Sequence, residues 1–276
     1  MNFNFTQVDV FTATPLLGNP LAVVHAADGL SDAQMQAFAR WMNLSETSFL
    51  LTPTDSGADY RVRIFTPQHE LPFAGHPTLG SCHAWLAAGG RPRAEQVVQQ
   101  CGVGLVRIRH DSGRLAFAAP PLRRSGPVEQ KVLAQIARCL RVAPSAIHAS
   151  QWVDNGPGWV AVMLGSRDEL LAIEPDYAAM RGLELGVVAP WVGGEAQFEV
   201  RALIPTHAGG FEDPVTGSLN AGLAQWLIGA GIAPPSYVAS QGAALGRAGR
   251  VFVDQVGLDI WIGGDCVSCV RGTLAL

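Results

Sequence analysis

Two glycines in this chain are each flanked by small polar residues and lead into a long uncharged run. Gly75 is followed by His76, Pro77 and Thr78, and no Asp, Glu, Lys or Arg stands between Ala74 and Gly90. Gly217 lies among Asp213, Thr216 and Ser218, and none stands between Pro214 and Tyr237. A helix opening at such a glycine has backbone N–H groups without intrahelical partners in its first turn, and its dipole adds partial positive charge there. Two starts of this kind would hold a carboxylate or phosphate without any basic side chain. Asp, Ser and Thr are also preferred helix caps, and capping is the task expected of Thr78 and Thr216. His76 makes a poor cap, and an imidazole behind a glycine at the mouth of an apolar helix points to function. A third stretch, Asn43-Leu44-Ser45-Glu46-Thr47, holds the one acid between Asp32 and Asp55. By residue type alone, a lone Glu at a strand entry fits a solvated edge.

The elements that must position these residues are written twice. Tyr60-Arg61-Val62-Arg63-Ile64-Phe65-Thr66-Pro67 alternates in character, and so does Phe198-Glu199-Val200-Arg201-Ala202-Leu203-Ile204-Pro205, with Val62/Val200, Arg63/Arg201 and Pro67/Pro205 in register. Both predict strands stopped by a proline. Each is followed by a polar loop, then by the glycine-led run, then by Cys101-Gly102 or Gln241-Gly242 ahead of another strand pair. Upstream, Asn19-Pro20 and Asn155-Gly156-Pro157 precede apolar runs at 21–24 and 159–164. Repeats of 20–50 residues would mean a solenoid, whereas one repeat of half the chain predicts two similar domains. A helix uncharged on every side must be buried on every side, which in a strand-rich domain predicts a sheet wrapped around one central helix. Ser31-Asp32-Ala33-Gln34 has the pattern of a capping box, and its helix through Met42 mixes polar with apolar residues as a surface helix does.

Composition narrows the class. With 276 residues, 48% of them hydrophobic and 15% charged, the chain can bury a large core in one or two domains. Net charge is −4 and no Lys/Arg run exceeds Arg123-Arg124, so the basic stripe that nucleic acid requires is missing. Pro and Gly interrupt every apolar stretch, so no membrane span is expected. Met1-Asn2-Phe3-Asn4 lacks the flank and apolar run of a signal peptide. The odd cysteine count of five argues for free thiols in a reducing, cytoplasmic compartment. Cys266 and Cys269 form a lone CxxC in an apolar, strand-like tail and are expected to be buried thiols rather than metal ligands.

Taken together, Asn43-Leu44-Ser45-Glu46-Thr47, the run from Arg63 through Phe73-Ala74-Gly75-His76-Pro77-Thr78, and Glu212-Asp213-Pro214-Val215-Thr216-Gly217-Ser218 resemble the three hallmark segments of the PhzF-like family of phenazine biosynthesis. Val8-Asp9-Val10-Phe11, Gly18-Asn19-Pro20-Leu21 and Gln241-Gly242 are similar too, and the resemblance runs the length of the chain. It implies an α+β, diaminopimelate epimerase-like fold of two pseudo-symmetric domains, each a barrel-like sheet around a central helix. The expected boundaries are 1–123, with 267–276 returning to that domain, and 124–266. It also implies a homodimer, an active site in the interdomain cleft, and no metal or organic cofactor. The characterised enzymes isomerise trans-2,3-dihydro-3-hydroxyanthranilate. Carried over by position, Glu46 matches the general acid/base, with His76 and Asp213 completing the catalytic set. Asn19, Gly75, Thr78, Gly217, Ser218 and Gln241 match substrate-binding positions. A carboxylate that removes a proton beside a double bond and returns it at the far carbon suits this set, helped by burial that raises its pKa and by donors that steady the developing charge.

Two departures bear on the substrate. Related racemases use one cysteine from each half, yet Ala74 precedes Gly75 here and 213–218 contains none, which argues against a two-thiol racemase. Leu219-Asn220 follows Ser218 where the phenazine enzymes carry small residues such as Ala. A larger side chain beside the ligand is expected to reshape the pocket, and the partner that the resemblance implies is a small unsaturated carboxylate. Two alternatives stay open: a family member that binds such a carboxylate without turnover, and an epimerase or lyase acting on a modified amino acid.

Overall fold

The computed structural model describes residues 1–111, 113–206 and 209–276. It divides into two compact units, Met1–Ala118 with Gly263–Leu276, and Ala119–Ile262.

In the first unit, β1 (Asn2–Val10) and β2 (Asn19–Val24) pair antiparallel. The helix α1 (Asp32–Met42) then carries the chain back so that β3 (Thr47–Leu51) pairs parallel to β2. The capping box is present: Gln34 N–H donates to the Ser31 hydroxyl, and Ser31 N–H donates to the Gln34 side chain. Only one face of α1, with Met35, Phe38 and Ala39, is buried against Val24, Phe49 and Phe65, as expected of a surface helix. Next come β4 (Tyr60–Phe65), β5 (Glu70–Leu71), α2 (Gly75–Ala87), β6 (Val97–Cys101), β7 (Gly104–Asp111) and β8 (Arg114–Ala118). The final strand of the chain, Cys266–Ala275, returns to pair antiparallel with β1.

Helix α2 packs on β1, β2, β3, β6, β8 and that final strand. It is buried from Gly75 through Cys82, and exposure begins only at His83. Close approach to the sheet explains Gly80, where a Cβ would lie 2.6 Å from Leu21 Cδ2 and 2.8 Å from Val10 Cγ2.

The second unit repeats this order. It comprises β9 (Arg124–Gly126), α3 (Gln130–Leu140), β10 (Ala149–Asp154), β11 (Trp159–Met163), α4 (Arg167–Leu171), β12 (Glu184–Pro190), β13 (Phe198–Thr206), β14 (Gly209–Asp213), α5 (Gly217–Gly229), β15 (Ser236–Gln241), β16 (Gly249–Val256) and β17 (Asp259–Gly264), the last two residues of β17 counting with the first unit. Pairing repeats as well as order. The strands β10 and β11 are antiparallel, β11 and β12 parallel, and β13 and β15 parallel, matching β1/β2, β2/β3 and β4/β6. Even register is kept, since Phe49 faces Arg63 as Val187 faces Arg201. Helix α5 packs on β10, β11 and β16, and Gly222 passes so close to β10 that a Cβ would lie 2.3 Å from the Val153 carbonyl oxygen.

The CxxC differs from expectation. All five cysteines are free, but Cys266 and Cys269 are half-buried on the final strand. The register there slips between Gln7/Val270 and Val8/Ser268, which makes Cys269 the extra residue of a bulge. No helix among the described residues is long and apolar enough to cross a membrane.

Candidate functional site

In the first unit the start of α2 is held from two sides. Asn19, the first residue of β2, is fully buried and its Nδ2 donates to His76 Nδ1 at 3.4 Å. The loop before it is fixed by Gly18 N–H donating to Asp9 Oδ2 at 3.0 Å. His76 is the second helical residue and 4% exposed, and its Nε2 lies 3.3 Å from Glu46 Oε2. Burial pushes the His76 imidazole down to about 3, so the ring is neutral near pH 7. With Nδ1 accepting from Asn19, the proton of the neutral ring sits on Nε2, the ring nitrogen 3.3 Å from Glu46 Oε2, although the N–H is not aligned on that oxygen as a hydrogen bond requires. Glu46 itself lies one residue before β3 with its side chain 16% exposed. That placement replaces the solvated-edge reading with a mostly enclosed carboxyl group, next to a neutral hydrogen-bond donor.

The helix opens without a side-chain cap. Ala74 occupies the cap position in an extended conformation, and Gly75 and His76 present N–H groups that precede the first intrahelical bond, from Thr78 N–H to the Ala74 carbonyl. Pro77, in the first turn, has no N–H to satisfy. Thr78 does not cap the helix. It is the fourth helical residue, fully buried, and its hydroxyl accepts from Gln99 Nε2 on β6, whose Oε1 in turn accepts from the Tyr60 hydroxyl. Thr78 thus ties the helix to the sheet.

In the second unit the start of α5 is braced by a denser network. Asp213 ends β14, is 5% exposed, and its Oδ2 accepts from the Thr216 hydroxyl at 2.6 Å. Thr216 holds the cap position, but its hydroxyl serves Asp213 rather than the helix N–H groups. Gln241 Oε1 accepts from Thr216 N–H and Asn220 Nδ2, while its Nε2 donates to the Asp213 carbonyl and the Thr216 hydroxyl. Both lone pairs and both protons of that fully buried amide are therefore committed. Gln241 holds the helix start in place. The chain can turn there because Gly242 adopts φ 96°, where a Cβ would also meet the Pro214 carbonyl at 2.7 Å.

Ser218 is the second residue of α5, the place His76 has in α2. Its carbonyl accepts from Asn155 Nδ2 at 2.8 Å and its hydroxyl accepts from Trp159 Nε1 at 3.0 Å, leaving the hydroxyl proton to be donated. Asn155 thus holds Ser218 as Asn19 holds His76, and Gly217 mirrors Gly75 at the first helical position. The side chains expected to reshape this region do not lie open at the helix mouth. Leu219 packs against Gly186 of β12, and Asn220 bonds Gln241 and the Thr216 carbonyl.

The structure therefore gathers Asn19, Glu46, Gly75 and His76 at one helix start and Asp213, Gly217 and Ser218 at the other. Asn155 and Trp159 were not expected among the site residues. The aligned Asn-Pro and Asn-Gly-Pro segments carried the signal for Asn155, whereas nothing in the sequence distinguishes an indole that bonds a serine from one that fills a core. Among the described residues, no group of three His, Cys, Asp or Glu side chains could hold a metal ion.

Residues 8–269 match the family model described as phenazine biosynthesis-like protein. The trans-2,3-dihydro-3-hydroxyanthranilate isomerase of Pseudomonas fluorescens is 32% identical, with 99% of each chain covered. The protein of Schizosaccharomyces pombe named antisense-enhancing sequence 1 is 33% identical over 98% of this chain and 97% of its own. Among solved structures, a phenazine biosynthesis PhzF family protein of Enterococcus faecalis superimposes with a TM-score of 0.82 at 25% identity, covering 100% of both chains. The fold is α+β and diaminopimelate epimerase-like.

Proposed function

This chain belongs to the phenazine biosynthesis-like protein family and is an isomerase, and we propose that it shifts a proton within a small unsaturated carboxylate by general acid/base catalysis at Glu46. The observation that carries this reading is the Glu46 carboxyl group, largely enclosed and 3.3 Å from a neutral His76 at an uncapped helix start. Glu46 takes a proton from a carbon beside a double bond. The C–H electron pair moves into the conjugated system, and the same carboxyl group returns the proton at the far carbon. His76 Nε2–H, 3.3 Å from Glu46 Oε2, is a neutral donor within reach of the ionised carboxylate and can turn toward it without neutralising its charge. Asp213, fixed by Thr216, supports proton transfer, and Ser218 has a hydroxyl proton to give a substrate oxygen. The first-turn N–H groups at Gly75 and at Gly217, which lie ahead of each helix's own hydrogen-bond ladder, are donors suited to anionic groups.

The relatives' reaction supplies the first substrate to test, trans-2,3-dihydro-3-hydroxyanthranilate. Wild-type protein should isomerise it, and Glu46→Gln should lower kcat by at least a thousandfold with little change in the thermal midpoint. Equal rates for the two proteins would remove Glu46 from the mechanism. The free cysteines and the family resemblance also support a cytoplasmic homodimer, for which sedimentation should give twice the 29.2 kDa chain mass.

A further inference from the structure

The two units differ in a paired way at their helix starts. Ser218 stands where His76 stands, second in its helix. A second difference lies on the neighbouring strand. Val24 on β2 is in register with Phe49, and Val162 on β11 with Val187, and Phe49 and Val187 face the repeated arginines, Arg63 and Arg201. Three residues back from Val24 is Leu21, and three back from Val162 is Trp159. Leu21 is an apolar filler beside Gly80 of α2, whereas Trp159 gives its indole N–H to the Ser218 hydroxyl at 3.0 Å. The unit that carries Ser in place of His thus also carries Trp in place of Leu.

Side-chain reach explains the pairing. The imidazole of His76 is long enough for its Nδ1 to accept from Asn19. A serine hydroxyl ends one bond beyond Cβ, and Asn155 bonds the Ser218 main-chain carbonyl instead, at 2.8 Å. The hydroxyl is left to Trp159, whose ring is 1% exposed. One braced hairpin carries both contacts. Asp154 Oδ1 accepts from Gly156 and Gly158 N–H, each at 2.7 Å, and Gly158, at φ 105°, turns the chain into β11.

An indole N–H donates and cannot accept. Ser218 Oγ must therefore accept on that side, and its own proton must point elsewhere. No described residue accepts that proton. Ser218 is also the one residue of 217–220 that stays half-open, since Gly217, Leu219 and Asn220 are buried. A Gln or Tyr in place of Trp159 could accept as well as donate, and would let the hydroxyl take either sense.

We propose that Trp159 is the positioning residue of Ser218 and makes its hydroxyl a donor to an acceptor oxygen of the ligand at the start of α5. The proposal rests on the reading above, in which Ser218 gives its proton to a substrate oxygen, and involves only residues of the second unit. It carries a specificity. A carboxylate or carbonyl oxygen suits the position, whereas an ammonium group would set two donors against each other.

The test follows the Trp159 indole N–H by nitrogen-15 spectra, with benzoate as an acceptor probe and benzylamine as a donor-only probe. Trp159→Phe identifies the signal among the seven tryptophans. Ser218→Ala should move it upfield. Benzoate should move it downfield in wild type, because a hydroxyl that donates becomes a better acceptor, and benzylamine should leave it in place. The Kd for benzoate should rise on the order of tenfold in Ser218→Ala and about threefold in Trp159→Phe. The double variant should bind no worse than Ser218→Ala alone. If Trp159→Phe weakens binding as much in the Ser218→Ala background, the indole only fills space and the proposal is overturned. A signal unmoved by Ser218→Ala or by benzoate overturns it too, and those arms keep the ring in place should Trp159→Phe unfold. Turnover lost in Glu46→Gln beside an unmoved Trp159 signal would keep the isomerase reading and sink this one. An active Glu46→Gln with the signal moving as expected would do the reverse.

Discussion

His76 shows how burial sets chemistry at a single residue. Its ring is neutral because water is excluded, and its proton is on Nε2 because Asn19 donates to Nδ1. Nitrogen-15 spectra at pH 7 should therefore show a neutral Nε2–H tautomer, and Asn19→Ala should mix the tautomers and lower kcat roughly tenfold. The same burial makes stability depend on pH. The folded-state pKa lies at about 3, below the ordinary value of 6.5, so between those values the unfolded chain binds a proton that the folded chain refuses. Stability from this group is complete above 6.5 and is lost as pH falls, with a slope approaching about 1.4 kcal/mol per pH unit. Urea titrations from pH 7 to pH 4 should show the loss in wild type and a shallower one in His76→Gln. Matching slopes would mean that the ring takes up a proton in the fold. His76 was legible in the sequence from its place behind Gly75. The roles of Thr78 and Gln241 were not, because residue type gives the bonding capacity of a hydroxyl or amide without naming the partner that will use it.

At the scale of elements, the two buried helices were legible because an uncharged run has no face that water favours. Their depth was less so. Each emerges toward its C-terminal end, and the glycines that let it approach the sheet differ in what they meet. At Gly80 an added methyl would press on side-chain carbons of Leu21 and Val10, whereas at Gly222 it would meet a backbone carbonyl oxygen at 2.3 Å. Side chains can rotate away and a strand carbonyl cannot. Gly222→Ala should therefore cost more than Gly80→Ala, about 2–3 kcal/mol against about 1 kcal/mol in urea unfolding. An equal cost would show that β10 yields as easily as the side chains do. The paired strands also hold counterpart ion pairs in different settings. Arg63 bonds a Glu70 that water reaches, while Arg201 and Glu212 are both buried. The repeated Arg signalled the register but not this difference, which depends on what packs outside each strand.

Across the whole molecule, one plan is used twice with different side chains at corresponding places. Asn19 and Asn155, Gly75 and Gly217, and Glu46 and Glu184 keep their types, whereas His76 faces Ser218 in the comparison and the Asp213–Thr216 pair has no acidic counterpart before Gly75. The duplication was legible from four aligned segments. The correspondence of Glu46 with Glu184, three residues before Phe49 and Val187, was not legible, because both acids sit outside those segments and only strand pairing fixes their register. The central claim is that one carboxyl group carries the migrating proton from carbon to carbon. Substrate bearing deuterium at the carbon that loses its proton, turned over in ordinary water, measures this directly. The account predicts a product that keeps a measurable fraction of the label at the far carbon, and no transfer by Glu46→Gln. Complete loss of label to solvent by the wild-type protein, or label transfer that survives in Glu46→Gln, would contradict it.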